Sequence, residues 1–333
     1  MTQGGPRPAV VVLAAGQGTR MRSRLPKVLH EAAGAPMLAH VLDAARALDP
    51  DPLLVVVGHG AEAVRARFAD AGVGFVVQER QRGTGDAVAV CAEALAGHPG
   101  PIVVLGGDGP LVEGASLARL LDAHLAAGGE GMTLLTVEAD DPSGLGRVVR
   151  GRDGGVRAIV EERDADEATR ALREVNPGTY AFDARLWDLL PTLGDANAAG
   201  EVYLTDLVVA YLQAGRRVRA VRADDETRRL VGVNDRLQLA HADRLLRDRL
   251  RRRWMTAGVT MVDPGSVFLD ADVALSLDVT LEPGVVLAAG TRVGEGARIG
   301  AYAHLSACDV LEGARVPPHT VAHGRTFGTA DDD

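Results

Sequence analysis

Aromatic residues make up only 3% of this 333-residue sequence, so its core must be built mainly from Ala, Val and Leu. Cysteine is scarce as well. Cys91 and Cys308 lie far apart without metal-ligand spacing, which leaves no disulfide framework or thiolate metal site and fits a reducing compartment. No apolar run approaches the roughly 18 residues of a membrane span. The opening MTQGGPRPAV runs straight into strand-like sequence and lacks the apolar segment of a signal peptide, so a cytoplasmic protein with no membrane partner is expected. Positive charge is in deficit, and the net charge of −9 argues against a nucleic-acid partner. What is present is 47% apolar residues, enough for a sizeable core, in a length that suits about two domains.

From residue 8 to about residue 140, strand-like and helix-like patterns alternate. Ala9–Leu13, Leu53–Val57 and Ile102–Leu105 are continuous apolar runs of strand length, joined by Val73–Val77 and Met132–Val137. Helical spacing marks Pro36–Leu48, Ala61–Phe68, Gly85–Leu95 and Ser116–Leu125. Uninterrupted apolar strands separated by helices predict a parallel sheet covered on both faces. Beyond it, Arg147–Val149 and Val156–Val160 read as a hairpin turning at Arg152-Asp153-Gly154-Gly155. Asp164–Leu172 and Glu201–Leu212 read as helices, and Val175–Phe182 and Arg217–Val221 as strands. A long helix is expected over Asn234–Trp254.

The last segment repeats. Leu269, Leu275, Leu281, Leu287, Val293, Ile299, Leu305 and Leu311 recur at a period of six, and Val267, Val273, Val279 and Val285 stand two residues before the first four. A six-residue period suits a triangular parallel β-helix, each hexapeptide forming one side with its aliphatic inward. Three sides make a coil of about 18 residues, so about three coils are expected. The terminal Asp331–Asp333 is expected to fray.

Three stretches could do chemistry. Leu13-Ala14-Ala15-Gly16-Gln17-Gly18-Thr19-Arg20 follows a strand, and Arg20, Arg22, Arg24 and Lys27 fall within eight residues. Small residues let backbone amides approach an anion, and Arg and Lys neutralise phosphate charge. The spacing is neither a Walker A loop nor G-x-G-x-x-G, and a plain strand-to-loop turn is the competing reading. Gly106-Gly107-Asp108 ends an apolar strand, where a hard carboxylate suits Mg²⁺ or caps a following helix. Gln78, with Gly83-Thr84-Gly85 downstream, offers an amide donor and acceptor that match a pyrimidine edge, or else marks a strand end and helix start.

Taken in order, L-A-A-G-x-G-T-R-M, P-K-V-L, Q…G-T-G and G-G-D-x-P-L resemble the sugar nucleotidyltransferases. Among these the sequence is most similar to the uridylyltransferase half of the bifunctional enzymes that make UDP-N-acetylglucosamine for peptidoglycan. The similarity continues through Gly144–Val148, Ile159–Glu161, Glu174–Asn176, Gly200–Asp206 and Gly232–Leu237, nearly the whole chain. The resemblance implies an α/β fold. A Rossmann-like nucleotidyltransferase domain would span 1–235, a linking helix 236–262 and a short left-handed β-helix 263–330. It implies that UTP and N-acetylglucosamine 1-phosphate react with Mg²⁺ to give UDP-N-acetylglucosamine and pyrophosphate. Leu13, Ala14, Ala15, Gly16, Gln78, Gly83, Thr84, Gly106 and Gly107 would hold the nucleotide. Arg20 and Lys27 would stabilise the triphosphate and the departing pyrophosphate. Asp108 and Asn234 would hold the metal. Gly146, Glu161 and Asn176 would bind the sugar, with Thr205 near its phosphate.

Three positions depart from the family pattern: Gln17 for a Lys, Gly109 for a larger residue, and Pro177 for a Thr after Asn176. The family's β-helix continues for many more coils that carry acetyl transfer, so that activity is expected to be absent here. Another sugar or base, or a non-catalytic sugar-nucleotide-binding scaffold, remains an alternative, as does a homotrimer formed through the β-helix. Arg244, Arg247 and Arg251 share one helix face, read as solvated or salt-bridged. His59 reads as a loop residue beside the cleft, and Trp187 and Trp254 as packing residues.

Overall fold

The computed structural model describes residues 5–223 and 232–328, so the expected fraying of Asp331–Asp333 lies outside the described residues. The chain divides into two compact units. One comprises Met1–His30 with Met37–Asp235, the other Glu31–Pro36 with Arg236–Asp333.

In the first unit, β1 (Ala9–Ala14) is followed by a hairpin, β2 (Glu31–Ala32) and β3 (Ala35–Pro36), that belongs to the second unit. Then come α1 (Met37–Arg46), β4 (Leu53–Val57), α2 (Ala61–Arg67), β5 (Gly74–Val77), α3 (Thr84–Ala89) and β6 (Ile102–Gly106). Next are α4 (Gly114–Ala126), β7 (Met132–Glu138), β8 (Gly146–Arg150), β9 (Val156–Val160) and α5 (Glu167–Arg170). β10 (Glu174–Asn176), β11 (Thr179–Phe182), α6 (Leu186–Leu189), α7 (Leu207–Gln213) and β12 (Val218–Arg222) complete it.

The sheet runs β5-β4-β1-β6-β11-β7-β10-β8-β9, with β12 also on β7. β5, β4, β1 and β6 are parallel. β1, β4 and most of β6 are buried along their length, which is why their sequences show no polar alternation. β4 and β5 lie on one side of β1 and β6 on the other, so the strand order turns back at the carboxyl ends of β1 and β6. Open sheets leave a ligand crevice at such a switch point. Three of the few aromatics in this core gather at one place, where Phe182 stacks with Tyr211 at 6.1 Å and sits 5.6 Å from Tyr180.

Four expected elements change. The strand over Val175–Phe182 is two strands, because Pro177 has no N–H to donate and Gly178 takes φ 77°. The helix expected over Glu201–Leu212 is a 3₁₀ turn, Leu204–Asp206, followed by α7. The helices expected over Gly85–Leu95 and Asp164–Leu172 shrink to α3 and α5. α5 is capped by Asp166, whose carboxylate accepts from the Thr169 N–H at 2.8 Å.

In the second unit α8 (Arg236–Thr256) precedes three parallel sheets of four strands each, a short left-handed β-helix. Four strands per side make four coils rather than three. The strands beyond the expected repeat are one at its start and three at its end: Thr260–Met261 pairs with Thr280–Leu281, its period hidden by the short 3₁₀ turn Pro264–Ser266, and Arg315–Val316, Val321–His323 and Thr326–Phe327 close the last coil. The inward ladders are Met261–Leu281–Ile299–Val316, Leu269–Leu287–Leu305–Ala322 and Leu275–Val293–Val310–Phe327. The predicted Leu311 is therefore not a core residue. It is 44% exposed, and Val310 takes its place at 3%. The corner after Leu287 uses two left-handed residues, Ala289 and Gly290, whereas the corner after Leu305 uses only Ala307, so one residue is lost.

Arg247 and Arg251 are not solvated. Arg247 donates to the Leu269 carbonyl at 2.9 Å and pairs with Asp243 and Asp270, and Arg251 donates to the Val267 carbonyl at 2.8 Å. Trp187 and Trp254 pack against the cores of their units.

Candidate active site

A cleft of about 640 Å³ opens within the first unit at the carboxyl ends of β1 and β6, a volume in the range of small-ligand sites. It gathers Leu13, Ala14, Ala15, Gly16, Lys27, Gln78, Gly83, Thr84, Gly106 and Asp108 with Gly146, Glu161, Asn176, Thr205 and Asn234. Two expected residues are outside it. Gly107 is buried behind the strand ends, where its N–H donates to the Leu13 carbonyl at 2.9 Å, so it packs β6 onto β1. Arg20 lies exposed in the 3₁₀ turn Thr19–Met21, and of the four clustered cations only Lys27 lines the cleft. His59 is exposed and also outside the lining.

At one end Gln78 is 3% exposed. Its amide nitrogen faces the Gly83 carbonyl at 3.1 Å and the Asp86 carboxylate at 2.8 Å. Both are acceptors only, which fixes the amide orientation and uses its two N–H bonds, leaving the side-chain carbonyl as an acceptor. Asp86 is held in turn by Arg82 at 2.6 Å. Gly83, at φ 115°, lies against the Val202 backbone, where a Cβ would meet the Val202 oxygen at 2.4 Å. The Thr84 hydroxyl accepts the Leu204 N–H at 3.0 Å, tying this end to the segment bearing Thr205.

At the centre the Lys27 ammonium contacts the Asp108 carboxylate and lies 3.1 Å from the Asn234 side-chain oxygen. Both partners are held. The Val233 N–H donates to the Asp108 carbonyl at 2.8 Å, and the Asn234 amide donates to the Gly232 carbonyl at 3.2 Å. Gly18, at φ 62°, leaves room for the Lys27 stem, since a Cβ there would sit 2.6 Å from the Lys27 Cβ. One carboxylate and one amide oxygen reachable by a single cation are a donor set that suits Mg²⁺, which takes one or two protein oxygens and fills its shell with phosphates and water. Among the described residues no group of three or more His, Cys, Asp or Glu could hold a metal by itself.

At the far end the Thr205 hydroxyl donates to Glu161 at 3.1 Å. Burial raises the Glu161 pKa, opposed by the Thr205 hydrogen bond and helped by the charges of Asp164, Asp206 and Glu201. Asn176 donates to the Tyr180 hydroxyl at 2.5 Å and accepts the Gly178 N–H at 3.0 Å. Burial raises the Tyr180 pKa, so it stays a neutral phenol.

Sequence reasoning missed Tyr180, whose spacing from Asn176 is masked by the Pro177-Gly178 break. It also missed Arg147, which is 2% exposed. Arg147 pairs with Glu162 at 2.6 Å and donates to the Leu145 carbonyl, while Glu162 accepts the Gly144 N–H at 3.3 Å. Gly144 and Leu145 both line the cleft, so this pair holds one of its walls. The available signal was a charged residue entering an apolar strand, Gly-Arg-Val-Val.

A mixed sheet whose parallel half opens a crevice, with a buried amide at one end, a paired oxygen site at the centre and a polar pocket at the other end, defines a nucleotidyltransferase. The chain belongs to the MobA-like NTP transferase domain family, whose model matches residues 10–260. It is 50% identical over 259 residues to the bifunctional protein GlmU of Heliobacterium modesticaldum, covering 78% of this chain and 56% of that one. With the GlmU protein of Streptomyces avermitilis it shares 50% identity over 270 residues, 80% of this chain and 56% of the relative. With that of Streptomyces coelicolor it shares 47% over 325 residues, 96% and 67% respectively. The chain thus spans a little over half the length of the first two relatives.

Proposed function

We propose that this chain transfers UMP from UTP to N-acetylglucosamine 1-phosphate with Mg²⁺, giving UDP-N-acetylglucosamine and pyrophosphate. The observation that carries the reading is the meeting of Lys27, Asp108 and Asn234 between the Gln78 end and the Glu161 end of one cleft. With its N–H groups committed, Gln78 presents an acceptor that suits the N3–H donor of uracil and opposes the N3 acceptor of cytosine. At the other end Glu161, Asn176 and the Gly146 backbone would orient the sugar. A sugar-phosphate oxygen attacks the α-phosphorus, the new P–O bond forms as the bond to pyrophosphate breaks, and no protein atom is covalently modified. Positioning and charge neutralisation therefore supply most of the rate enhancement. Mg²⁺ held by Asp108 and Asn234 would neutralise phosphate charge as the two anions approach. Lys27 adds positive charge beside them, and Arg20 would reach the leaving pyrophosphate from its exposed turn.

Pyrophosphate release measured across a panel of nucleoside triphosphates and sugar 1-phosphates tests the reading. UTP with N-acetylglucosamine 1-phosphate is expected to be the best pair. Asp108→Asn should lower its kcat by about 100-fold or more, as loss of one focused electrostatic contact does. Another best pair would reassign the substrates, and tight UDP-sugar binding with no turnover of any pair would favour a non-catalytic binding subunit. The proposal includes a cytoplasmic location and a homotrimer through the β-helix. Cell fractionation and light scattering test these in turn.

A further inference from the structure

Lys27 is the only lysine in the sequence; every other basic side chain counted among its 36 lysines and arginines is an arginine. The two residues are not equivalent. Arginine carries its charge on a wide planar fork, whereas lysine ends in a compact ammonium on a flexible four-carbon stem. The single lysine stands where the space between Asp108 and Asn234 admits one small cation, touching both protein oxygens assigned to the metal. Its side chain is 14% exposed, and its backbone begins the 3₁₀ turn Lys27–Leu29 anchored by buried Val28 and Leu29. With the backbone fixed there, any shift of the ammonium falls to rotations about the four-carbon stem.

We propose that Lys27 is a placeholder cation: in the free protein its ammonium occupies the Asp108–Asn234 oxygens, and a divalent cation must expel it to bind there. This rests on the metal-site reading under the proposed function. Two cations cannot share the same pair of oxygens at contact distance without strong mutual repulsion. The free protein therefore binds the metal weakly. Triphosphate oxygens give the expelled ammonium a new partner, so metal and nucleotide bind cooperatively, each strengthening the other by the same factor. The ammonium that kept the carboxylate paired then serves the phosphates.

Two measurements on the full chain test the proposal. Mn²⁺ binding without nucleotide is followed by electron paramagnetic resonance in the wild type, Lys27→Met and Asp108→Asn. Lys27→Met is expected to tighten Mn²⁺ binding by about fivefold or more, the scale of a typical coupling, and Asp108→Asn to weaken it. Unchanged or weaker binding in Lys27→Met, with Asp108→Asn still weakened, overturns the placeholder alone. Full binding in Asp108→Asn overturns the metal-site reading and the placeholder with it. Independently of any variant, ¹⁵N-lysine labelling gives one side-chain ammonium signal. It is expected to shift when Mg²⁺ saturates the wild-type protein, and an unmoved signal overturns the proposal.

Discussion

Truncating Arg147 tests whether a buried charge, remote from the reacting atoms, shapes the sugar end of the cleft. The guanidinium is 2% exposed and serves Glu162 at 2.6 Å, the Leu145 carbonyl, and the Arg170 carbonyl at 3.3 Å. Removing one partner of a buried ion pair costs about 3–5 kcal/mol. Glu162 keeps 35% of its side chain in water, which recovers part of that penalty, so about 2–3 kcal/mol is expected for Arg147→Ala. For a unit of this size that lowers Tm by about 4–12 °C. The functional cost should be selective. Gly144 and Leu145 lose their anchor, and one lost positioning hydrogen bond of about 1–1.5 kcal/mol raises KM for the sugar phosphate about tenfold. KM for UTP should stay unchanged, because Gln78 and Gly83 are untouched. Arg147→Lys, which keeps the charge and loses the fork, should fall between. Calorimetry and steady-state pyrophosphate release decide the matter. An unaltered Tm, or equal rises in both KM values, would refute the reasoning.

In the β-helix, Val310→Asp should destabilise the second unit by about 3 kcal/mol or more by burying an unpaired carboxylate, whereas Leu311→Asp should cost under about 1 kcal/mol at an exposed site; urea melts that rank them in the opposite order would restore the strict six-residue register. Because Glu161 has a raised pKa, its carboxylate is lost on acidification sooner than an ordinary glutamate. KM for the sugar phosphate should then climb as pH falls through that pKa, and Glu161→Gln should bind weakly throughout and lose this limb. The same raised pKa means that ionised Glu161 costs stability at pH values above it, so Glu161→Gln should melt higher at neutral pH; an identical acid limb in both proteins would remove Glu161 from the sugar site.

The parallel half of the sheet was legible because β1, β4 and β6 are buried on both faces and so carry unbroken apolar runs. β10 and β11 ran together because the break between them is a backbone event at Pro177-Gly178, invisible to hydrophobic period. The centre of the site was not legible by spacing at all. Lys27 meets Asp108 across 81 residues and Asn234 across 207, so only likeness to a known family put them in one set. Arg147 escaped because a lone charge in a strand usually faces water, and here two carbonyls and a carboxylate line up to receive it.

The corner at Ala307 has a bearing on how such solenoids change over time. Walls keep strict count, since each inward side chain must stack on the one a full coil below. Bends are where a residue can be gained or dropped, as Ala307 does alone what Ala289 and Gly290 do together. Aligning relatives by a rigid hexad would turn every later side chain inside out, whereas alignment by stacked ladder restores the proper faces beyond that bend.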